Sequence, residues 1–293
     1  MPRRQPFTSL CSQLAKLAHP PRADLHIHTT ASDGEYTPSQ VVALARQAGL
    51  AAVAITDHDT LAGWISLAGR ASEGVELIPG VEITTDFEGR ELHLLGYFVR
   101  FDHVELNAAL AAVCESRRER FRDYVSQLAI PADRARLVEE VSPSLGRRHV
   151  ASLLVSCGLA RTQHEAFQRF LGPLRGKVAP KQRVPFEAAI RLVHGAGGVA
   201  SLAHPPTDLT DDQFERMKGM ELDAVESVYA WRRSSPASRL REVAARFGFL
   251  QTGGSDCHGA LPTTRRIGSY TIAGAALEQL RELAGSRHPV FNS

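Results

Sequence analysis

The sequence has 293 residues, a formal net charge of +2 at pH 7, 43% hydrophobic residues and 23% charged residues. These values are typical of a soluble globular protein with a substantial core, and the small net charge excludes a general electrostatic attraction to nucleic acid or membranes. The four cysteines are scattered without CxxC spacing. They therefore indicate neither a disulfide framework nor a thiolate zinc site, and they suit a reducing cytosol.

Residues 1–22 form a basic N-terminal extension without the continuous apolar stretch of about 7–15 residues that a signal peptide requires. Leu10, Leu14 and Leu17 recur at helical spacing, which predicts a short docking helix. No run in the sequence approaches the roughly 18 apolar residues of a membrane span. We therefore expect a cytoplasmic protein that has no membrane association, and no obligate protein partner is evident.

A capped helix and a buried strand are predicted next along the chain. Thr37 can cap the helix and Pro38 fits its first position. The continuous apolar run 50–56 is typical of a strand that is covered on both faces, and a further helix is predicted over 61–72. Helices that alternate with buried strands indicate parallel βα units in a sheet or barrel.

The pattern changes near residue 101, and from Val104 to about Phe170 it is helical, rich in Arg and Glu, and without a strand signal. Predicted strands return at 197–204, 222–229 and 247–256, and predicted helices lie at 186–195, 236–246 and 274–284. We therefore predict a βα domain built from residues 23–100 and 181–293, interrupted by a helical insertion over 101–180.

Polar side chains cluster at the ends of the first two predicted strands. His26 and His28 share one strand face, because side chains alternate with a period of two, and Asp33 lies in the following loop. His58 follows the strand 50–56 directly, at the edge where βα folds gather ligands. Taken alone, the first two histidines are explained equally well as a hydrogen-bonded pair in the core.

The next polar residues have similar alternatives. Asp57 or Asp59 could cap the following helix, which would explain Asp59 but not His58. If Glu88-Gly89 is a two-residue hairpin turn, Thr84 pairs with His93. Glu82 then lies diagonally across from His93 on the same face, where a surface ion pair is the simpler explanation.

Two later strands end in the same way. His204 ends the apolar strand of "SLAHPP", and Asp256 and His258 alternate on one face in "GGSDCHG". The full set of such groups comprises His26, His28, Asp33, His58, Glu82, His93, His204, Asp256 and His258. Together in one cavity they would destabilise the fold unless cations neutralised them. We therefore predict a polynuclear site for divalent metals. Nitrogen and oxygen ligands without thiolate suit Mn, Fe or Zn and do not distinguish among them, and of the three we expect Mn.

The motifs that carry these residues resemble a known family. In order, "DLHIHTTASDG", "AITDHDT", "PGVEIT", "HLLGYF", "AHPP" and "GGSDCHG" resemble the PHP (polymerase and histidinol phosphatase) superfamily. The chain is most similar to the branch of bacterial 3′,5′-nucleoside bisphosphate phosphatases and RNase AM-type 5′–3′ exoribonucleases. The resemblance implies an α/β fold, a distorted (β/α)₇ TIM-like barrel with a helical insertion domain.

The same resemblance implies two or three metals and their ligands. It assigns His26, His28, Glu82 and Asp256 to the first metal. It assigns Asp33, His58 and His258, which we also expect to be catalytic, to the second metal. It assigns Glu82, His93 and His204 to the third.

Substrate binding is expected mainly from the insertion. Arg117 and Arg120 share a helix face at i, i+3, and guanidinium groups suit phosphate oxygens. The resemblance implies that substrate is bound by Asp33, Ser116, Arg117, Arg120, Arg147 and His149. A solvated helix face paired with Glu115 and Glu119 is the alternative. For Arg148 and Lys177 a substrate contact is left open, and "GPLRGKVAPKQRVP" departs from the branch's usual pattern.

These observations predict a metal-dependent phosphoesterase in which a metal-activated hydroxide hydrolyses phosphate esters of nucleotides. The resemblance implies that the substrates are 3′,5′-bisphosphonucleotides such as pAp, or short RNA attacked from its 5′ end. Aromatic residues at 6% are too few for a long stacking channel, so a mononucleotide or a short 5′ end fits better than extended RNA. One alternative is a phosphatase or cyclic phosphodiesterase of a non-nucleotide metabolite. Another is a metal-stabilised interaction module without catalysis.

Overall fold

The structure, a computed structural model, describes residues 21–68, 74–231, 235–260 and 263–287. The predicted docking helix around Leu14 lies outside the described residues. One sheet forms the centre of the molecule. Its strands are β1 (Arg22–Ile27), β2 (Ala52–Ile55), β3 (Glu76–Phe87), β4 (Arg90–Tyr97), β5 (Val184–Pro185), β6 (Val199–Leu202), β7 (Ala224–Val228), β8 (Leu250–Gly253) and β9 (Ile272–Ala273).

The strand order is β8-β7-β6-β4-β3-β2-β1-β9, with β5 beside β3. Strands β1, β2 and β3 are parallel, as are β6, β7 and β8, whereas β4 is antiparallel to both β3 and β6. The sheet nearly closes, because the backbone N–H of His28 donates to the carbonyl of Cys257, just beyond β8, at 3.0 Å. The predicted distorted barrel is therefore confirmed. It departs from an all-parallel barrel at β4, which is antiparallel to both neighbours, and at β9, which is antiparallel to β1.

Helices cover the sheet and build the insertion. They are α1 (Pro38–Gln47), α2 (Ala62–Ile65), α3 (Val104–Gln127), α4 (Ala132–Val141), α5 (Arg147–Ser156), α6 (Gln163–Ala166) with a π-helical turn (Phe167–Leu171), α7 (Phe186–Gly195), α8 (Asp211–Gly219), α9 (Ser235–Phe247) and α10 (Gly274–Arg287), with a 3₁₀ turn at Thr263–Arg265. No helix among these residues is long and apolar enough to cross a membrane.

Two local predictions near the first strands have different outcomes. Thr37 caps α1 as expected, and its side chain accepts a hydrogen bond from the backbone of Gln40. The helix predicted over 61–72 was too long, because α2 has four residues and ends at Ile65. Its N-cap residue, Leu61, forms no side-chain capping hydrogen bond. Residues 69–73 lie outside the described part of the chain.

The insertion helices pack around a hydrophobic cluster of their own. Phe121 and Tyr124 of α3 are buried there against Leu154 of α5 and Leu171 of the π-helical turn. The barrel core consists of separate clusters beneath α1, α7 and α10. The exact boundaries given to the insertion stay a prediction. The insertion thus lies as a compact helical unit beside the carboxyl ends of the strands.

Candidate metal centre

The Glu82 side chain, only 1% exposed on β3, lies at the centre of a histidine cluster. The hairpin register that places it there is as predicted, with Thr84 opposite His93. Each carboxylate oxygen has its own set of neighbours. Oε1 lies 2.8 Å from His93 Nδ1 and 3.0 Å from His204 Nε2. Oε2 lies 3.0 Å from His58 Nδ1, 3.2 Å from His28 Nε2 and 3.4 Å from His26 Nε2.

Two aspartates complete the cluster on either side. Asp256 Oδ1 lies 3.2 Å from His28 Nε2 and 3.6 Å from His26 Nε2. Asp33 Oδ1 lies 3.3 Å from His258 Nε2 and 3.9 Å from His58 Nε2. The structure therefore brings all nine predicted side chains into one site at the strand ends.

Close backbone approach makes this convergence possible. A Cβ atom on Gly254 would lie 2.3 Å from the backbone nitrogen of His26, so a side chain at this position would be excluded. His204 and Asp256 have positive φ angles of 26° and 50°. Such backbone conformations cost on the order of 1–3 kcal/mol each and are typical of functional sites.

The donor atoms of this site fit divalent cations. Six buried side-chain atoms of the cluster have no hydrogen-bond partner among the described residues: His26 Nε2, His28 Nδ1, His28 Nε2, Asp33 Oδ1, His58 Nδ1 and Glu82 Oε2. Leaving such atoms unsatisfied costs roughly 1–3 kcal/mol each, which cation coordination would offset. The set offers nitrogen and oxygen ligands without thiolate, as Mn, Fe and Zn sites do.

Four groups of ligand atoms lie within 4.8 Å of one another. They are His28-Asp33-His58-His258, His26-His28-Asp256, His26-Glu82-His204 and His58-Glu82-His93. His28 therefore approaches the set predicted for the second metal as well as that for the first. The assignment of individual ligands to three metals stays a prediction.

Protons balance the charges of this cluster when no metal is bound. Burial alone would lower the pKa of His28 and of His93. The nearby carboxylates, Asp256 and Glu82 for His28 and Glu82 for His93, raise these pKa values to about 10 and about 9. Burial would raise the pKa of Glu82, yet the surrounding histidines hold it well below its usual range. Because ligating histidines must be neutral, metal binding would displace protons from this site.

Several buried groups that the sequence reasoning missed orient the cluster. Glu226 on β7 is fully buried, and its Oε1 lies 3.0 Å from His26 Nδ1. Its Oε2 accepts a hydrogen bond from the backbone N–H of His204 at 2.7 Å. Tyr229 donates to Asp256 at 2.8 Å, and Arg265 also donates to that carboxylate. In the sequence, the position of Glu226 within the apolar run "LDAVESVY" could have indicated a buried carboxylate with a role in the site.

Asp57 and Asp59 do not cap α2, so the capping explanation for Asp59 was wrong. Asp57 accepts hydrogen bonds from Thr29 and Ser32, which fixes the loop before Asp33. Asp59 is fully buried and forms an ion pair with Arg117 of the insertion at 2.6 Å. This ion pair attaches the insertion to the barrel.

Arg117 connects three segments around the site. Besides its pair with Asp59, it donates to the Thr84 hydroxyl at 2.9 Å and to the Leu145 carbonyl at 3.2 Å. The Arg117 side chain is 7% exposed. Its observed contacts are therefore structural, and its predicted contact with substrate stays a prediction.

A cavity of about 820 Å³ lies between the barrel and the insertion, and we call it the basic cavity. Its cationic lining residues are Arg117, Arg120, Arg147, Arg175, Lys181 and Arg183. Glu91 also lines it, and its Oε1 lies 3.5 Å from Nε2 of His93, a predicted metal ligand, so the cavity adjoins the cluster. The last three cations belong to the segment after the insertion helices and were not predicted as site residues.

Three of the other side chains considered for substrate binding form hydrogen bonds within the protein. Ser116 accepts a hydrogen bond from the backbone of Gln182 at 2.7 Å, and His149 accepts one from Gly146 at 3.0 Å. Arg148 donates to the backbone carbonyl of Asp33 at 3.3 Å. Ser116, His149, Arg148 and Lys177 are outside the lining of the basic cavity. Their roles in substrate binding stay predictions.

Comparisons with known proteins agree with this arrangement. Residues 24–204 match the PHP domain family. A 5′-3′ exoribonuclease of Haemophilus influenzae is 32% identical over 80% of this chain and 89% of that protein. A phosphoribosyl 1,2-cyclic phosphate 1,2-diphosphodiesterase of Eggerthella lenta is 32% identical over 84% of this chain and 97% of that protein. A solved structure from Bifidobacterium adolescentis, provisionally described as a metal-dependent phosphoesterase, has a TM-score of 0.82 at 31% identity and covers 90% of this chain and 98% of its own.

Proposed function

The chain belongs to the PHP domain family and is a hydrolase of phosphoric esters, and we propose that its substrates are nucleotides that carry more than one phosphate. The two candidate classes are 3′,5′-bisphosphonucleotides such as pAp and short RNA attacked from its 5′ end. We include in this proposal the use of Mn²⁺ and a cytoplasmic location.

One observation carries the proposal: the cluster of unsatisfied metal-ligand atoms lies beside a cavity lined by six cations. Arginine binds phosphate oxygens with two parallel hydrogen bonds. A cavity lined by these cations therefore favours an anionic substrate over a neutral one. An amide substrate would leave these cations without a role. The exoribonuclease similarity supports a nucleic acid or nucleotide.

The nine clustered side chains would hold the metal ions. Bound divalent ions would supply an activated water nucleophile and stabilise charge on the phosphoryl group. The protein's part is to fix the ligands before substrate arrives. Glu226 holds the ring of His26, and Tyr229 and Arg265 hold the carboxylate of Asp256, so each ligand presents one defined atom to the site.

A phosphatase or cyclic phosphodiesterase of a non-nucleotide metabolite is the second candidate. The similarity to the Eggerthella lenta diphosphodiesterase favours it. Such an enzyme would share the metal cluster, but it would show no preference for a base or for a second phosphate. Substrate comparison therefore separates the two candidates.

The test is an assay of the purified chain with Mn²⁺ on pAp, 5′-AMP, histidinol phosphate and a 5′-phosphorylated oligoribonucleotide. We expect hydrolysis of pAp or the oligoribonucleotide at least about tenfold faster than of the two monophosphates. The variants Asp33→Ala and His58→Ala remove predicted ligands and should abolish turnover of every substrate. Preference for histidinol phosphate would favour the second candidate, and four intact substrates would refute the proposed nucleotide substrates.

A further inference from the structure

The basic cavity carries more positive charge than its neighbouring carboxylates neutralise. Three of its cations have acidic partners, with N–O distances of 2.6 Å for Arg117–Asp59, 2.9 Å for Lys181–Glu91 and 3.1 Å for Arg183–Asp86. Among the described residues, no carboxylate pairs with Arg120, Arg147 or Arg175. Unpaired cations that share a cavity repel one another, so bound anions would stabilise this arrangement.

The unpaired arginines lie on three different segments. Arg120 lies on α3, where it donates to the carbonyl of Ala179 and to the hydroxyl of Tyr124. Part of its hydrogen-bonding capacity is therefore occupied within the protein. Arg147 is the first residue of α5 and Arg175 follows the π-helical turn; both are exposed. The guanidinium carbon of Arg147 also lies 5.9 Å from the ring centre of Phe167 in the π-helical turn. Both arginines line the cavity without a carboxylate partner among the described residues, so both are available to an anionic ligand.

The cavity lies close to the metal cluster on the Arg147 side. Gly146, which lines the cavity, precedes Arg147, and a Cβ atom on Gly146 would lie 3.7 Å from Asp33 Oδ2. Asp33 is a predicted metal ligand. A phosphate chain with one ester at the metals can therefore continue past Arg147 into the cavity.

Hydrogen bonds to α3 fix the second half of the segment that carries Arg175. The backbone N–H of Ala179 donates to Asp123 at 2.7 Å, and that of Gln182 donates to Ser116 at 2.7 Å. These contacts join the segment to α3, so the cavity wall is formed before a ligand binds. Its sequence, "GPLRGKVAPKQRVP", is the stretch that departs from the usual pattern of the branch.

The lining predicts contacts with phosphates and not with bases. Its aromatic residues, Phe121 and Tyr124, are 2% and 1% exposed and belong to the core of the insertion, so neither ring is available for stacking. The volume of about 820 Å³ lies near the upper end of the range of about 300–1,000 Å³ found for ligand sites. The cavity has room for more than a single nucleotide.

We propose that Arg147 and Arg175 bind backbone phosphates of an oligonucleotide beyond the ester that is cleaved, which makes short single-stranded nucleic acid the preferred substrate class. This inference rests on the proposed function and narrows it. A nucleoside bisphosphate offers only one phosphate besides the one cleaved, whereas an oligonucleotide offers a further phosphate at each step. Two guanidinium groups from different segments that line one cavity match the second case.

The test compares the full chain with Arg175→Gln on two substrates, a 5′-phosphorylated trinucleotide and a nucleoside 3′,5′-bisphosphate. Arg175→Gln should lower kcat/KM for the trinucleotide about tenfold, the effect of one charged hydrogen bond, and change that for the bisphosphate less than about twofold. The slope of log kcat/KM against log salt for the trinucleotide should become shallower by about 0.7. The matched control, Arg134→Gln, removes the same charge from an exposed position on α4 and should behave as wild type.

Two kinetic results would overturn the inference: equal losses on both substrates, or no loss on the trinucleotide. If the wild-type chain hydrolyses neither substrate, the proposed function fails and the subsite is tested by binding alone. Fluorescence anisotropy of a labelled trinucleotide then gives Kd for both proteins. A Kd about tenfold weaker in Arg175→Gln supports the subsite, and equal values refute it.

Discussion

Replacing Glu226 by Gln tests how the metal ligands are held in place. One oxygen of the buried carboxyl group lies 3.0 Å from His26 Nδ1 and the other accepts from the backbone of His204 at 2.7 Å. A hydrogen on His26 Nδ1 leaves Nε2, which has no hydrogen-bond partner, as the atom that faces the cluster. The carboxyl group thus fixes one ligand by its ring and a second by its backbone.

The glutamine side chain cannot replace both contacts. Its amide oxygen can accept from one donor, and its NH₂ group would then face the other donor. The loss of one charged hydrogen bond in a buried site costs roughly 1.5–3 kcal/mol. We therefore expect Mn²⁺ to bind Glu226→Gln about 10–100-fold more weakly, the range found when such outer partners of metal ligands are removed.

Isothermal titration calorimetry of EDTA-stripped protein with Mn²⁺ measures this loss directly. The control is Glu215→Gln, the same substitution at an exposed position on α8, and its affinity should equal that of wild type. Circular dichroism establishes that both variants are folded. An unchanged Mn²⁺ affinity in Glu226→Gln would refute the reasoning, because it would mean that His26 and His204 need no outer partner.

Three further outcomes follow from the site. Burial, followed by the charge of Arg117, lowers the pKa of Lys181 from 10.5 to about 8. The cation is therefore present below that pH and lost above it, so oligonucleotide kcat/KM should fall as pH rises through about 8. Lys181→Arg should remove this decline, and its persistence would exclude Lys181 as the cause. EDTA should lower Tm, because metals held at 1,000 times their Kd stabilise the fold by about 4 kcal/mol; an identical Tm would contradict a buried metal cluster. Arg117→Ala should cost about 3–5 kcal/mol in urea unfolding by leaving Asp59 unpaired, against less than about 1 kcal/mol for the partly exposed Arg118→Ala. Equal losses for the two variants would refute that role of Arg117.

The hairpin shows why part of the site could be predicted from sequence. Glu88 and Gly89 have positive φ angles of 55° and 79°, as a tight two-residue turn requires. Once that turn is fixed, the alternation of side chains leaves a single register, which places Glu82 beside His93. The same local rules place histidines at strand ends, and the closure of the sheet then brings them together.

The basic cavity could not be predicted in the same way. Arg117 and Asp59 are 58 positions apart, and their pairing depends on how the insertion packs against the barrel. Arg175 and Lys181 lie in a segment with no regular secondary-structure pattern, so periodicity carries no information about the direction of their side chains. Glu226 is similar, since its partners on β1 and after β6 are set by sheet order and not by local spacing.

The site therefore has two parts that are built differently. The predicted metal ligands are supplied by strand ends and the hairpin, where a change in backbone position would move several of them at once. The wall that carries Arg175 is one segment attached to α3 through Asp123 and Ser116. Because that segment supplies none of the clustered ligand atoms, its charges can change without displacing the metals. It follows that a substitution in this segment should alter KM and substrate preference while leaving the affinity for Mn²⁺ unchanged, which separates recognition of the phosphate chain from hydrolysis of the ester.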